Sequence, residues 1–252
     1  MSRNFELLSQ LGRMHEIVEP QVEQPHTPPV EETFPETFPS VPALEMNDAV
    51  RDEISKIVQN LFLPARGPRR VVFAGTESGS GCSWMCARVA EGLAPQGRGT
   101  VCVVDCNLRA PTLHQQFGIE NHRGLSDALL GSGPIQEYVH RLSQNLWLLS
   151  CGSAAEVGLT MLGSDRMHLR LAELRAAFDY ILIDAAALNA SNDAMLLGGL
   201  SDGVVLTLKA NSSRRETARK AVQELQAANV RTLGAVLNQR TFPIPEALYK
   251  RL

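Results

Sequence analysis

Lysine is scarce in this chain: of 252 residues only Lys56, Lys209, Lys220 and Lys250 carry an ammonium group. Apolar runs are short as well. None approaches the roughly 18 residues that a membrane span needs. The opening residues Met1, Ser2, Arg3, Asn4 and Phe5 lack the apolar core of a signal peptide, so neither insertion nor secretion is expected. Cys-x-x-Cys pairs are absent. The five cysteines, Cys82, Cys86, Cys102, Cys106 and Cys151, are odd in number and scattered. That pattern excludes a disulfide framework and a zinc finger and fits reduced thiols in a cytoplasm. The rest, 44% hydrophobic and 20% charged with a formal net charge of −3, describes a globular chain long enough for a sizeable core.

Charge of one sign is missing over a long stretch. Residues 16–50 hold eight acidic side chains and no Lys or Arg, and seven of the 14 prolines fall between Pro20 and Pro42. A segment so rich in Pro, Glu and Thr cannot bury enough apolar area to offset its ordering entropy, so 18–47 reads as a disordered linker. Ahead of it, Phe5, Leu8 and Leu11 recur at helical spacing, which predicts a short amphipathic helix within 1–17. That stripe needs something to pack on: its own domain, or a partner. A membrane surface suits it least, because Arg3 and Arg13 are offset by Glu6 and Glu16. Residues 51–252 carry 22 basic and 18 acidic side chains, a mild excess that suits a phosphate-bearing ligand and falls short of a nucleic-acid surface.

From residue 48 helical and strand patterns alternate. A helix is predicted over 48–63, with Val50, Ile54, Ile57, Val58 and Leu61 on one face. Short apolar strands follow at Val71–Ala74, Thr100–Asp105, Trp147–Ser150, Tyr180–Asp184, Val204–Leu208 and Leu233–Leu237. Helices are predicted from about Ser83 to Leu93 and Arg214 to Ala228. Strands that are apolar throughout and separated by helices signal a parallel sheet covered on both faces, so 48–252 is an α/β, doubly wound domain. Ligands in such sheets bind beyond the carboxyl ends of the strands.

After the first strand comes Gly75-Thr76-Glu77-Ser78-Gly79-Ser80-Gly81-Cys82-Ser83. Strand, glycine-rich loop and a hydroxyl residue opening a helix form the layout of a phosphate-binding loop, in which backbone N–H groups face the anion and the hydroxyl holds Mg²⁺. The usual Gly-Lys-Ser ending is replaced by Gly81-Cys82-Ser83. A glycine-rich turn without a phosphate is the competing reading. Cys82 lies at a helix start, where thiol pKa values fall, with Cys86 one turn on. A redox switch and the simple replacement of an unneeded lysine both account for it.

The second strand ends in Asp105-Cys106-Asn107-Leu108-Arg109-Ala110-Pro111. Leu113-His114, Phe117-Gly118, Asn121, Gly124-Leu125-Ser126 and Leu129 follow, then Phe178 to Asp184, Asp193-Ala194, Asp202-Gly203 and Gly234-Ala235-Val236-Leu237-Asn238. This order resembles the Walker segments of bacterial tyrosine kinases of the capsular and exopolysaccharide systems. Those kinases are relatives of the deviant-Walker partition ATPases, and the likeness spans about 48–252. It implies a P-loop sheet that binds ATP or ADP with Mg²⁺. Gly79, Ser80, Gly81, Cys82, Ser83 and Arg109 would contact the nucleotide, and Asn238 would sit at the adenine. Ser83, Asp105 and Asp184 would stand around the metal, and Asp105 and Asp184 would be the catalytic carboxylates. A strand-terminal Asn that caps a turn is the other reading of Asn238. The resemblance further implies a membrane polysaccharide chain-length or export protein as partner, recruitment to the inner membrane face, and rings built through the 48–63 helix.

The departures matter as much. Cys82 stands at the lysine position, Asn107 at the second Walker aspartate, and Ala185-Ala186-Ala187 where Thr-Pro-Pro is usual. Glu53, Lys56 and Gln59 form only a weak version of the ring motif, and the tail offers Tyr249 alone. A lysine contact to phosphate contributes roughly 1.5–3 kcal/mol to binding. Losing one such donor costs about 10²–10³ in rate. The sequence thus reads as a degenerate, non-catalytic regulator of exopolysaccharide synthesis with vestigial Asp105 and Asp184, binding nucleotide weakly or not at all and self-associating weakly at most. An active autokinase or ATPase, and a partition-type ATPase relative, are the alternatives.

Overall fold

A computed structural model describes residues 46, 48–96 and 99–239. The helix expected within 1–17, the linker 18–47 apart from Met46, and Tyr249 lie outside the described residues. Seven strands form one sheet: β1 (Arg70–Gly75), β2 (Val101–Asp105), β3 (His140–Ser143), β4 (Leu146–Leu149), β5 (Tyr180–Ala185), β6 (Gly203–Lys209) and β7 (Thr232–Asn238). Their spatial order is β3-β4-β2-β5-β1-β6-β7, parallel except for β3 against β4. The antiparallel edge strand β3 is an addition to the six strands expected from sequence.

Side chains of each strand alternate between two cores. Val72, Ala74, Cys102, Val104, Ile181 and Ile183 face one; Val71, Phe73, Val101, Val103 and Leu182 face the other. Both faces must therefore be covered, which is why the central strands are apolar throughout. On one face lie α1 (Asp48–Leu61), α2 (Cys82–Gln96) and α3 (Leu113–Gln116). On the other lie α4 (Leu125–Leu130), α5 (Ala155–Met161), α6 (Asp165–Ala177), α7 (Asp193–Gly199) and α8 (Arg215–Ala227).

The face predicted for α1 is the face it uses: Ile54 and Val58 are buried and Val50, Ile57 and Leu61 pack beside them. Gly92 of α2 lets this helix approach closely, since a Cβ there would lie 2.9 Å from the Ile54 methyl group. Phe62, just after α1, meets Tyr180 edge-on at 6.0 Å. The sheet's carboxyl edge is left to the loops.

Candidate nucleotide site

Loop 76–81 leaves β1 and enters α2, and two glycines shape it. Gly79 and Gly81 have φ of 79° and 77°, left-handed values that other residues adopt only with strain. Gly75 accommodates the turn, because a Cβ there would collide with the Ser80 hydroxyl. The loop is braced from two directions. Ser213, in the turn before α8, donates to the Glu77 carboxylate at 2.6 Å. At the end of β7 the Asn238 amide donates to the carbonyl of Ser80 at 3.0 Å and leans on that of Gly81 at 3.4 Å, while the Gln239 amide donates to Gly79 at 3.3 Å.

Asp105 and Asp184 are side by side, paired in register at the ends of β2 and β5, and both are fully buried. Asp105 accepts the N–H groups of Asn107 at 3.2 Å and Leu113 at 3.0 Å, so it also staples the loop that follows it. Burial drives its pKa up to about 7 against those hydrogen bonds. Asp184 is raised well above the carboxylate range, by burial first and by Asp105 second. Neither of its oxygens has a hydrogen bond of normal geometry, although the Ser83 hydroxyl and Cys82 thiol lie against it. The hydroxyls of Thr76 and Thr207 at the foot of the loop are likewise buried and without a hydrogen bond of normal geometry. Buried polar atoms are rarely left so.

These orphaned oxygens fit a hydrated divalent cation. Mg²⁺ is commonly held by one or two carboxylates together with phosphate and water rather than by an all-protein cage. Among the described residues no cluster of three or more His, Cys, Asp or Glu forms such a cage. Asp184, Ser83 and Asp105 are the side chains that would hold the ion, and the glycine loop would hold the phosphates it bridges.

Cys82 behaves opposite to its place at a helix start. Its thiol is tucked inward against Thr207, Asp184 and Gly75, and burial with the Asp184 charge pushes its pKa well up. Cys86 is shifted the same way by burial and Asp184. A low-pKa redox pair is therefore not what this geometry builds. Arg109 is half exposed and pairs with Asp193 at 3.5 Å. In this structure the Asn238 amide is engaged with the loop backbone. Thr207, Ser213 and Gln239 join the site without a sequence motif of their own; the polar Thr207 inside the apolar run Val204–Leu208 is the one local signal among them.

No protein-family model matches the chain. It is 31% identical over 174 residues to the tyrosine-protein kinase YwqD of Bacillus subtilis, covering 69% of this chain and 73% of that one. EpsB of Ralstonia nicotianae, which carries a tyrosine-protein kinase name, is 29% identical over 201 residues, 79% of this chain. The succinoglycan biosynthesis transport protein ExoP of Rhizobium meliloti is 27% identical over 190 residues, 73% of this chain. The chain spans only 26% of EpsB and 24% of ExoP.

Solved structures share the fold. The chimeric protein CapA2B2 superposes with a TM-score of 0.71 at 24% identity, over 76% of this chain and 85% of that one. The VpsO kinase domain superposes at 0.70 and 25%, over 77% and 97%. A Mycobacterium smegmatis cobyrinic acid a,c-diamide synthase, solved with an ATP analogue and magnesium, superposes at 0.53 and 17% over 66% and 69%. The chain belongs to the bacterial tyrosine-protein kinase family.

Proposed function

We propose that this protein is a nucleotide-binding regulator of exopolysaccharide or capsule synthesis that holds Mg-ATP or Mg-ADP weakly and does not turn it over. The observation that carries the reading is a braced glycine cradle with a neutral thiol, Cys82, at the family's lysine position. The loop N–H groups and the start of α2 bind and orient the phosphates. Ser83 and the Asp105/Asp184 pair meet the metal, whose chemistry when bound is to neutralise phosphate charge. What is missing is the ammonium that stabilises charge on the transferring group, and Asn107 adds no carboxylate to accept a proton.

The proposed partner is a membrane polysaccharide chain-length or export protein, which would bring the chain to the cytoplasmic membrane face. Among the described residues no helix is long and apolar enough to cross a membrane. Self-association is weak in this reading, because the basic partners of the family's ring contact are reduced to Lys56 and Gln59 on α1, and Lys56 forms a surface pair with Glu53 of the same helix at 2.7 Å. The test is Mg-ATP binding measured beside ATP turnover, with Asp184→Ala as control. Binding without turnover is expected. Turnover that disappears in Asp184→Ala would establish an active kinase or ATPase instead.

A further inference from the structure

The phosphate loop of this chain is gripped from behind by the end of the edge strand. In a loop whose glycines alternate through left-handed φ, successive N–H groups converge on one side to make an anion nest, and the carbonyls turn to the other. Here the three consecutive carbonyls of Gly79, Ser80 and Gly81 are met by two side-chain amides, those of Asn238 and Gln239. The fit is close: a Cβ added to Gly81 would lie 2.3 Å from the Asn238 amide nitrogen and 3.3 Å from that of Gln239. Both amides are themselves fixed. The Asn238 carbonyl accepts the Ala210 N–H at 2.8 Å, tying β7 to the end of β6. The Asn238 side-chain oxygen accepts the Gln239 N–H at 2.8 Å, and Gln239 holds a φ of 56°.

We propose that Asn238 and Gln239 are positioning residues that preorganise the phosphate loop, acting on its carbonyls and not on a nucleotide base. The assignment rests on the nucleotide-site reading for its ligand and on the hydrogen bonds for its geometry. In a loop with Cys82 in place of an ammonium, backbone N–H groups carry the anion, so the shape of the backbone decides affinity.

The experiment uses the full chain. Asn238→Ala and the isosteric Asn238→Asp, which removes the donors and keeps the shape, are compared with wild type in two measurements. The first is amide hydrogen exchange of residues 76–83 without ligand. The second is the affinity for Mg-ATP and for Mg-tripolyphosphate, which has the charge but no base. Loss of an amide that donates twice is expected to raise loop exchange about tenfold and to weaken both ligands by the same factor, about tenfold. Gln239→Ala, at an exposed site with one bond, should give a smaller change in the same direction and keeps the test open if Asn238 variants unfold. Weakening of ATP alone, with tripolyphosphate affinity and loop exchange unchanged, would overturn the proposal and make Asn238 a base contact. If wild type binds neither ligand, the nucleotide reading fails, and the exchange measurement still decides whether the brace exists.

Discussion

At position 82 a thiol rests against Asp184, and the side chain with the opposite chemistry is the informative substitution. Cys82→Lys places an ammonium beside the two buried, unpaired oxygens of Asp184, where the proposed nucleotide's phosphates would meet it. It should tighten Mg-ATP by about 1.5–3 kcal/mol, at least tenfold in Kd by isothermal calorimetry; an unchanged affinity would mean that the loop is no longer a phosphate site. The neighbouring carboxylates give a pH dependence of defined sign. Asp105 has a pKa of about 7 when folded, against roughly 3.9 in an unfolded chain. Between those values the folded state holds more protons, so stability falls as pH rises from about 4 to about 7. Asp105→Asn should flatten that slope in melting curves taken without metal, and added Mg²⁺ should stabilise wild type more at pH 7 than at pH 5. Residue identities in the loop and at Asp105 and Asp184 were legible in the sequence because glycine spacing and strand-terminal carboxylates are local signals. Direction was not. Whether Cys82 faces solvent or Asp184, and whether Asn238 faces a base or the loop, depends on strands more than 70 residues apart in the chain.

Among the elements, α1 and α2 show how one small residue sets a packing distance. Gly92 lets the Ile54 methyl approach to 2.9 Å from where a side chain would begin, closer than van der Waals contact allows. Gly92→Val should therefore wedge the helices apart and destabilise the domain by about 1–3 kcal/mol in urea titration, with no direct effect at the loop. Six of the seven strands announced themselves as apolar runs, each within two residues of its observed ends. The exception, β3, has Leu142 as its one buried residue among His140, Arg141 and Ser143. An edge strand with one buried side chain has no period to detect, and only its pairing with β4 defines it.

At the scale of the whole molecule, the acidic, proline-rich composition of residues 16–50 raises the question of whether the residues from 48 onward fold independently of what precedes them. Among the described residues the apolar face of α1 packs on α2. Removing residues 1–47 should shift Tm by no more than about a degree or two while abolishing capture by the proposed polysaccharide-export partner. A fall of several degrees would show instead that the Phe5, Leu8 and Leu11 stripe packs on the domain. The strand order carries a different consequence, one of timing. β5 lies between β1 and β2, yet some 75 residues separate it in sequence from β2, and β1 completes its pairing only with β6. As the chain leaves the ribosome, the first four strands emerge with no central strand to join their two groups. Closing such distant pairings is slow, since loop entropy is lost before contacts compensate it. A fragment ending at residue 177 should remain unfolded by circular dichroism and expose its apolar strands. Until Tyr180–Ala185 is made, nothing joins β1 to the β3-β4-β2 group, and the apolar faces of both stay open to wrong pairing.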